Sequence, residues 1–240
     1  MCNIIKTNNI WHDLEFKEDD RSKEYIDDIY LIQQFFIHGD EYRYREIKYC
    51  LKKNVNNHFF KKIILLNEKI YSKEELGLSD EEFKRVKQVN IGHRMKYKDV
   101  LEYVYNEKLN GYIVFSNSDI YFNDTIKKVY RTTLFLGKCW YAQLRIEAYT
   151  KKLYGPNAHA QDTWIFHSKC RVKQLNNLDF ILGKLGCDNK LPYELVKQGI
   201  YVYNQPLYIN TFHLHKTTKR DYNFNDRLEP PYLRITPLLK

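Results

Sequence analysis

The chain has 240 residues, 43% of them apolar and 29% charged, enough for a sizeable core and in the proportions of a water-soluble globular protein. A net charge of +9 points to an anionic partner, yet the basic residues are interleaved with acidic ones, as in KEDDRSKEYIDD and KEELGLSDEEFKR, so no nucleic acid is expected. No apolar run is long enough to span a bilayer, no signal peptide opens the chain, and five dispersed cysteines form no CxxC pair; a cytoplasmic protein without disulfides or structural zinc is expected.

Residues 1–28 read as a polar lead-in. IYLIQQFFI (29–37) reads as a buried strand, followed by a loop over His38–Arg45 and a helix over 45–55 with Ile47, Cys50 and Leu51 on one face. KKIILLNE (61–68) is a second strand, SKEELGLSDEEFKR a loop with a helical turn, and VKQVNIG a third strand. In KYKDVLEYVYNEKL (96–109), Val100, Leu101, Val104 and Leu109 make one helix face. GYIVF then runs into Ser116-Asn117-Ser118-Asp119, a strand that ends on small polar residues and a carboxylate. NDTIKKVYRT predicts a short helix capped by Asn123 or Asp124. CWYAQLRIEAY (139–149) and QDTWIFHS (161–168) read as further strands. GKLGCDNKLPYELVKQG (183–199) reads as a helix with Asp188 as N-cap, Pro192 in the first turn, Leu191, Leu195 and Val196 as its apolar face, and Gly199 as its end. IYVYNQP and YINTFHLH follow as strands, and residues 227–240 as an extended tail. Strands alternate with helices through the first half. That predicts one α/β domain over 29–226, with a mixed, mostly parallel sheet flanked by helices.

Four features sit at element ends: Asp119, Asp162, Asp188 and the pair His213/His215. Asp119 by itself suits a turn, and Asp188 by itself suits a helix cap, where the helix N-terminus holds a carboxylate ionised. His213 and His215 are two apart on a strand and so share a face. Together with Asp119 they offer oxygen and nitrogen donors suited to Mn²⁺ or Mg²⁺. The chain has no nucleophile elbow, phosphate-cradling glycine loop or dinucleotide fingerprint. These features point to metal-assisted chemistry on a phosphorylated substrate. A metal-dependent hydrolase or nuclease would use similar groups, but few acidic pairs stand near the strand ends.

In order, FFI with REIKYCLKKNV, KIILLNE, YKDV, SNSDIYF, AQLR, QDTWIF, GKLGCDN and FHLH resemble the GT-A class of glycosyltransferases. More closely, they resemble glycosyltransferase-like proteins of bacteria, algae and large viruses, over about residues 30–226. The resemblance implies a GT-A-like domain that moves a sugar from a nucleotide-diphosphate donor to a hydroxyl of a glycan or other acceptor. Asn117-Ser118-Asp119 stand where the metal-binding D-x-D motif would be, with only the last carboxylate kept. The late metal-site histidine would be His213 or His215. Asp188 matches the general base of inverting members, with Asp162 as the other candidate. Gln161 and Asp162 would line the acceptor or sugar pocket, and Asn189 would bind substrate. Arg94, Arg145 and Arg220 are candidates on charge and placement for phosphate contacts, and the loop His38–Arg45 would meet the nucleotide base. A catalytically inactive nucleotide-sugar-binding domain would carry the same motifs.

Overall fold

The computed structural model describes residues 27–155, 161–216 and 226–239. Its seven-stranded sheet contains β1 (Asp28–Gln33), β2 (Phe60–Asn67), β3 (Val86–Asn90), β4 (Gly111–Ser116), β6 (Cys139–Leu144), β8 (Gln161–His167) and β9 (Tyr201–Tyr203). The strand order is β3-β2-β1-β4-β8-β6-β9. Every pairing is parallel except those of β8 with β4 and β6. A second, three-stranded sheet joins β5 (Ile120–Phe122), β10 (Thr211–His213) and β7 (Ile146–Glu147) in the order β5-β10-β7.

The central strands are unbroken apolar runs because both faces of the sheet are covered. Ile29, Leu31, Ile63, Leu65, Tyr112 and Val114 enter one buried cluster with α1 (Glu41–Val55). The intervening Ile32, Ile64, Leu66, Ile113 and Phe115 enter the other, with α4 (Tyr97–Asn106) and α5 (Cys187–Lys197). The second cluster is rich in aromatic contact, with Trp140 stacked on Phe166 and Phe115 on Trp164. At the start of β4 the chain passes so close to β1 that a Cβ on Gly111 would lie 2.2 Å from the Asp28 carbonyl oxygen. Only glycine fits there, and its φ of +135° lies outside the range of other residues.

Several boundaries differ from the sequence expectation. β1 ends at Gln33, because the next backbone donor, that of Phe35, goes to the Asn67 side chain. α1 starts at Glu41, not 45: Asp40 caps it by accepting from the Tyr42 and Arg43 N–H groups, so most of the predicted nucleotide-base loop is the helix's first turn. The polar stretch 72–85 holds two short helices, α2 (Lys73–Leu76) and α3 (Asp80–Lys84), each opened by a capping box on Ser72 or Ser79. A 3₁₀ helix, Asp124–Arg131, is capped by Asn123.

In α5 the N-cap is Gly186, and Asp188 is the second helical residue rather than the cap. With the helix starting two residues earlier than expected, Pro192 falls in the second turn, so the Asp188 carbonyl lacks its usual helical donor. Val196 is exposed. Gly199 ends the helix at a φ of +79°, with its N–H on Val196 O and that of Ile200 on Leu195 O, a Schellman pairing. Among the described residues, no helix is long and apolar enough to cross a membrane.

Candidate active site

The sheet order reverses between β1 and β4, and in open α/β sheets the crevice at such a switch point is where ligands bind. The turn after β4 is held by two buried amides. Gln33 Nε2 donates to Ser116 Oγ (2.9 Å) and to the carbonyl of Asn117 (2.9 Å). Asn54 Nδ2, from α1, donates to the Ile120 carbonyl (2.9 Å) and to Gln33 Oε1 (3.1 Å), and Asn54 Oδ1 accepts from the Phe122 N–H (3.0 Å). Ser118 Oγ donates to the Gln34 carbonyl (2.6 Å). Asp119 is therefore presented by a fixed backbone rather than by a loose loop.

The small sheet brings its partners alongside. In register, His213 lies opposite Ile120 and beside Glu147, and the Leu214 N–H donates to the Asp119 carbonyl (2.9 Å). Ligand atoms of Asp119, His213 and His215 all lie within 4.8 Å of one another. His213 Nε2 is 3.2 Å and His215 Nδ1 is 3.7 Å from the same oxygen, Asp119 Oδ2. Glu147 Oε2 lies 3.3 Å from His213 Nδ1, the arrangement in which an outer carboxylate orients an imidazole ligand. One carboxylate and two imidazoles fit a divalent cation of the first transition row.

The electrostatics follow from burial and pairing. Burial alone would raise the Asp119 carboxyl, but His213, His215 and Arg43 hold it well below the usual carboxylate range. Burial would lower His213, yet Asp119 and Glu147 outweigh it and bring the imidazole up to about 9. Glu147 is lowered to about 2: burial opposes this, and His213 and Arg145 prevail.

The same cleft, a cavity of about 360 Å³, is also lined by Asp188. Burial first, and the nearby charge of Asp162 second, raise its carboxyl to about 7. Both Asp162 oxygens are occupied: Asn117 Nδ2 donates to Oδ1 (2.7 Å) and Arg145 Nη1 to Oδ2 (2.8 Å). Arg145 also gives its Nε–H to Glu147 (2.8 Å) and lies over the Tyr154 ring. It is a buried strut between two carboxylates. Arg94 and Lys184 also line the cleft, and no described carboxylate takes up either cation.

Of the residues singled out in the sequence, Arg94, Asn117, Ser118, Asp119, Arg145, Gln161, Asp162, Asp188, His213 and His215 all line this one cleft. Asn189 sits behind it, donating its amide to Asp188 Oδ1 (3.0 Å). Arg220 lies outside the described residues. Two residues escaped the sequence reading. Arg43 donates to Asp119 Oδ2 (2.7 Å), and its spacing from Ile47 and Cys50 (i, i+4, i+7) places it on the buried face of α1. Glu147 is two residues from Arg145, as a strand pair on one face would be.

No protein-family model matches the chain, and no curated protein matches it in sequence. Solved structures do resemble it. A mannosyltransferase of Pyrobaculum calidifontis, in complex with GDP-Man and Mn²⁺, aligns with a TM-score of 0.52 at 10% identity, over 82% of this chain and 59% of that one. S. aureus TarS (residues 1–349, in complex with UDP-GlcNAc) gives 0.47 at 10% identity, over 81% and 60%. A cytidylyltransferase of Leptospira borgpetersenii gives 0.44 at 11% identity, over 85% and 79%. The chain thus spans about three-fifths of the mannosyltransferase structure, and at this identity the likeness is one of fold. The fold is a GT-A-like α/β fold, with a mixed, mostly parallel sheet flanked by helices.

Proposed function

We propose that this chain is a glycosyltransferase that moves a sugar from a nucleotide-diphosphate donor to a hydroxyl of a glycan or other acceptor, with inversion. The observation that carries this reading is that one cleft is lined both by an Asp-His-His group able to take a cation and by Asp188, whose carboxyl is raised to about 7. Asp119, His213 and His215 would hold Mn²⁺ or Mg²⁺, which when bound supplies positive charge for the leaving diphosphate. Arg94 and Lys184 are free to take phosphate oxygens, with Arg220 a further candidate beyond the described residues. Asp188 accepts the proton of the acceptor hydroxyl as the new bond forms on the face opposite the leaving group. Asp162, with both oxygens already engaged, keeps the Asp188 proton affinity high and is the lesser candidate for the base. The dispersed thiols of Cys50, Cys139, Cys170 and Cys187, all buried and unpaired, suit a reducing cytoplasmic setting.

A thermal-shift screen of GDP-, UDP- and dTDP-linked sugars, with and without Mn²⁺, tests the reading. At least one donor should raise the melting temperature only in the presence of the cation, and Asp119→Asn should abolish that shift. Transfer by the same variant should fall about a hundredfold or more. Stabilisation without turnover toward any acceptor or water would instead favour a nucleotide-sugar-binding domain. If no donor shifts the protein and Asp119→Asn behaves as wild type, the proposal fails.

A further inference from the structure

The oxygen of Asp119 that faces both imidazoles is not open. Asp119 Oδ2, 3.2 Å from His213 and 3.7 Å from His215, also accepts from Arg43 Nη2 at 2.7 Å. The Asp119 and Arg43 side chains are only 13% and 10% exposed, so little solvent screens the contact. The other end of the same guanidinium is fixed independently. Arg43 Nη1 donates to Glu46 Oε2 (2.5 Å) and to the Leu214 carbonyl (3.1 Å). Glu46 is in turn held by the Lys216 N–H (2.8 Å) and the Tyr149 hydroxyl (3.3 Å). Arg43 also lines the cleft in which the diphosphate would lie.

We propose that Arg43 is a resident counter-cation of the Asp119 site, which a divalent metal displaces from Oδ2 and whose freed Nη2–H then binds the donor's diphosphate. This rests on the metal-assisted reading above. A fixed positive charge at the ligand oxygen repels a second cation, so the metal alone binds weakly. A diphosphate offers Nη2 a new anionic partner, and the Nη1 anchor on Glu46 and Leu214 lets the guanidinium exchange partners without leaving its place. Metal and diphosphate therefore bind cooperatively, and each tightens the other by the same factor. The arrangement also accounts for a site with one carboxylate where two are usual: its second charged neighbour is a cation that leaves Oδ2 only when substrate can receive it.

The test is a titration with Mn²⁺, following free Mn²⁺ by electron paramagnetic resonance, with and without GDP or UDP. Mn²⁺ held by the nucleotide itself is subtracted using the Asp119→Asn protein. In the wild type, the nucleotide should tighten Mn²⁺ on the order of tenfold. Arg43→Gln should bind Mn²⁺ alone on the order of tenfold more tightly than wild type, with the coupling to nucleotide largely lost. Arg43→Lys, which keeps the charge but not the two-ended fork, should bind Mn²⁺ alone as weakly as wild type while losing part of the coupling to nucleotide. Because Arg43→Gln leaves Glu46 without its cation, the double variant Arg43→Gln/Glu46→Gln serves if the single one does not fold. Mn²⁺ binding by Arg43→Gln, or by the double variant in its place, no tighter than by wild type overturns the proposal and leaves the metal reading standing. Absence of Mn²⁺ binding by every protein, with nucleotide or without, overturns both.

Discussion

A carboxyl that titrates near 7 has a cost in the resting protein, and Asp188 lets that cost be measured. In the unfolded chain an Asp has a pKa of about 3.9. In the fold, burial and Asp162 raise Asp188 to about 7. Between those values the folded state holds the extra proton, so stability falls as pH rises from about 4 to about 7, and the loss is complete above that. Asp188→Asn removes the charge. It should therefore stabilise the protein above pH 7, on the order of 2 kcal/mol after allowance for solvent at the cleft, with the gain vanishing below pH 4. The same variant should lose transfer by a hundredfold or more, while wild-type kcat/KM rises with pH to a plateau above about 7. Denaturant melts of both proteins at pH 4, 6 and 8 beside a pH–rate profile check both halves; a gain over wild type no larger at pH 8 than at pH 4 would sink the assignment. Asp188, Asp119 and the histidines were legible because a carboxylate or imidazole at a strand or helix end is conspicuous in one dimension. Arg43 and Glu147 were not, since their importance lies in partners 76 and 66 residues away.

Among the elements, the β4–β5 turn shows why a short polar motif keeps its shape. Asn54 on α1 satisfies three groups that pack inside the protein: the Ile120 carbonyl, the Gln33 side-chain oxygen and the Phe122 N–H. Asn54→Ala would leave the Gln33 side-chain oxygen and the Phe122 N–H buried without that partner, at roughly 1–3 kcal/mol each and partly relieved where water can enter, while the Ile120 carbonyl keeps its bond from Gln33 Nε2 (3.2 Å). The variant should lower the denaturation midpoint well beyond Lys52→Ala on the exposed face of the same helix. It should also weaken the Mn²⁺-dependent donor shift, because the turn that aims Asp119 loses its support. Full retention of both would show that Gln33 alone holds the turn. The same helix explains one misread boundary. Its first turn, Glu-Tyr-Arg-Tyr, shows no apolar period, because the residues it buries there are the ion pair Arg43–Glu46. Likewise the α5 cap was assigned to the most polar residue, Asp188, whereas Gly186 takes that place and Asp188 is the second helical residue.

At the scale of the molecule, the layered α/β order was legible because a sheet covered on both faces writes itself as apolar runs such as IILL and YIVF between amphipathic helices. The small sheet was harder: its strands are two or three residues long, and their pairing across the chain leaves no local pattern. The final segment likewise acquires meaning only in three dimensions. Leu228 N–H donates to the Leu185 carbonyl, Leu233 N–H to the Asn189 carbonyl, and Leu238 N–H to the Asn204 carbonyl. The Tyr232 hydroxyl packs 3.0 Å from where a Gly186 Cβ would stand. Residues 226–239 thus brace the loop and first turn that carry Asp188, without reaching Asp119 or the histidines. Deleting residues 226–240 removes three backbone hydrogen bonds of about 1 kcal/mol each, which at this size corresponds to a fall of roughly 6–12 °C in melting temperature. Its functional effect should be unequal. The Mn²⁺-dependent shift by a nucleotide-sugar should persist, because the cation site keeps all its supports, whereas transfer to an acceptor should fall about tenfold or more as Asp188 loses its bracing. Measuring both on the truncated protein below its melting temperature decides the matter. Equal loss of donor binding and transfer would mean that the tail supports the whole domain rather than the base.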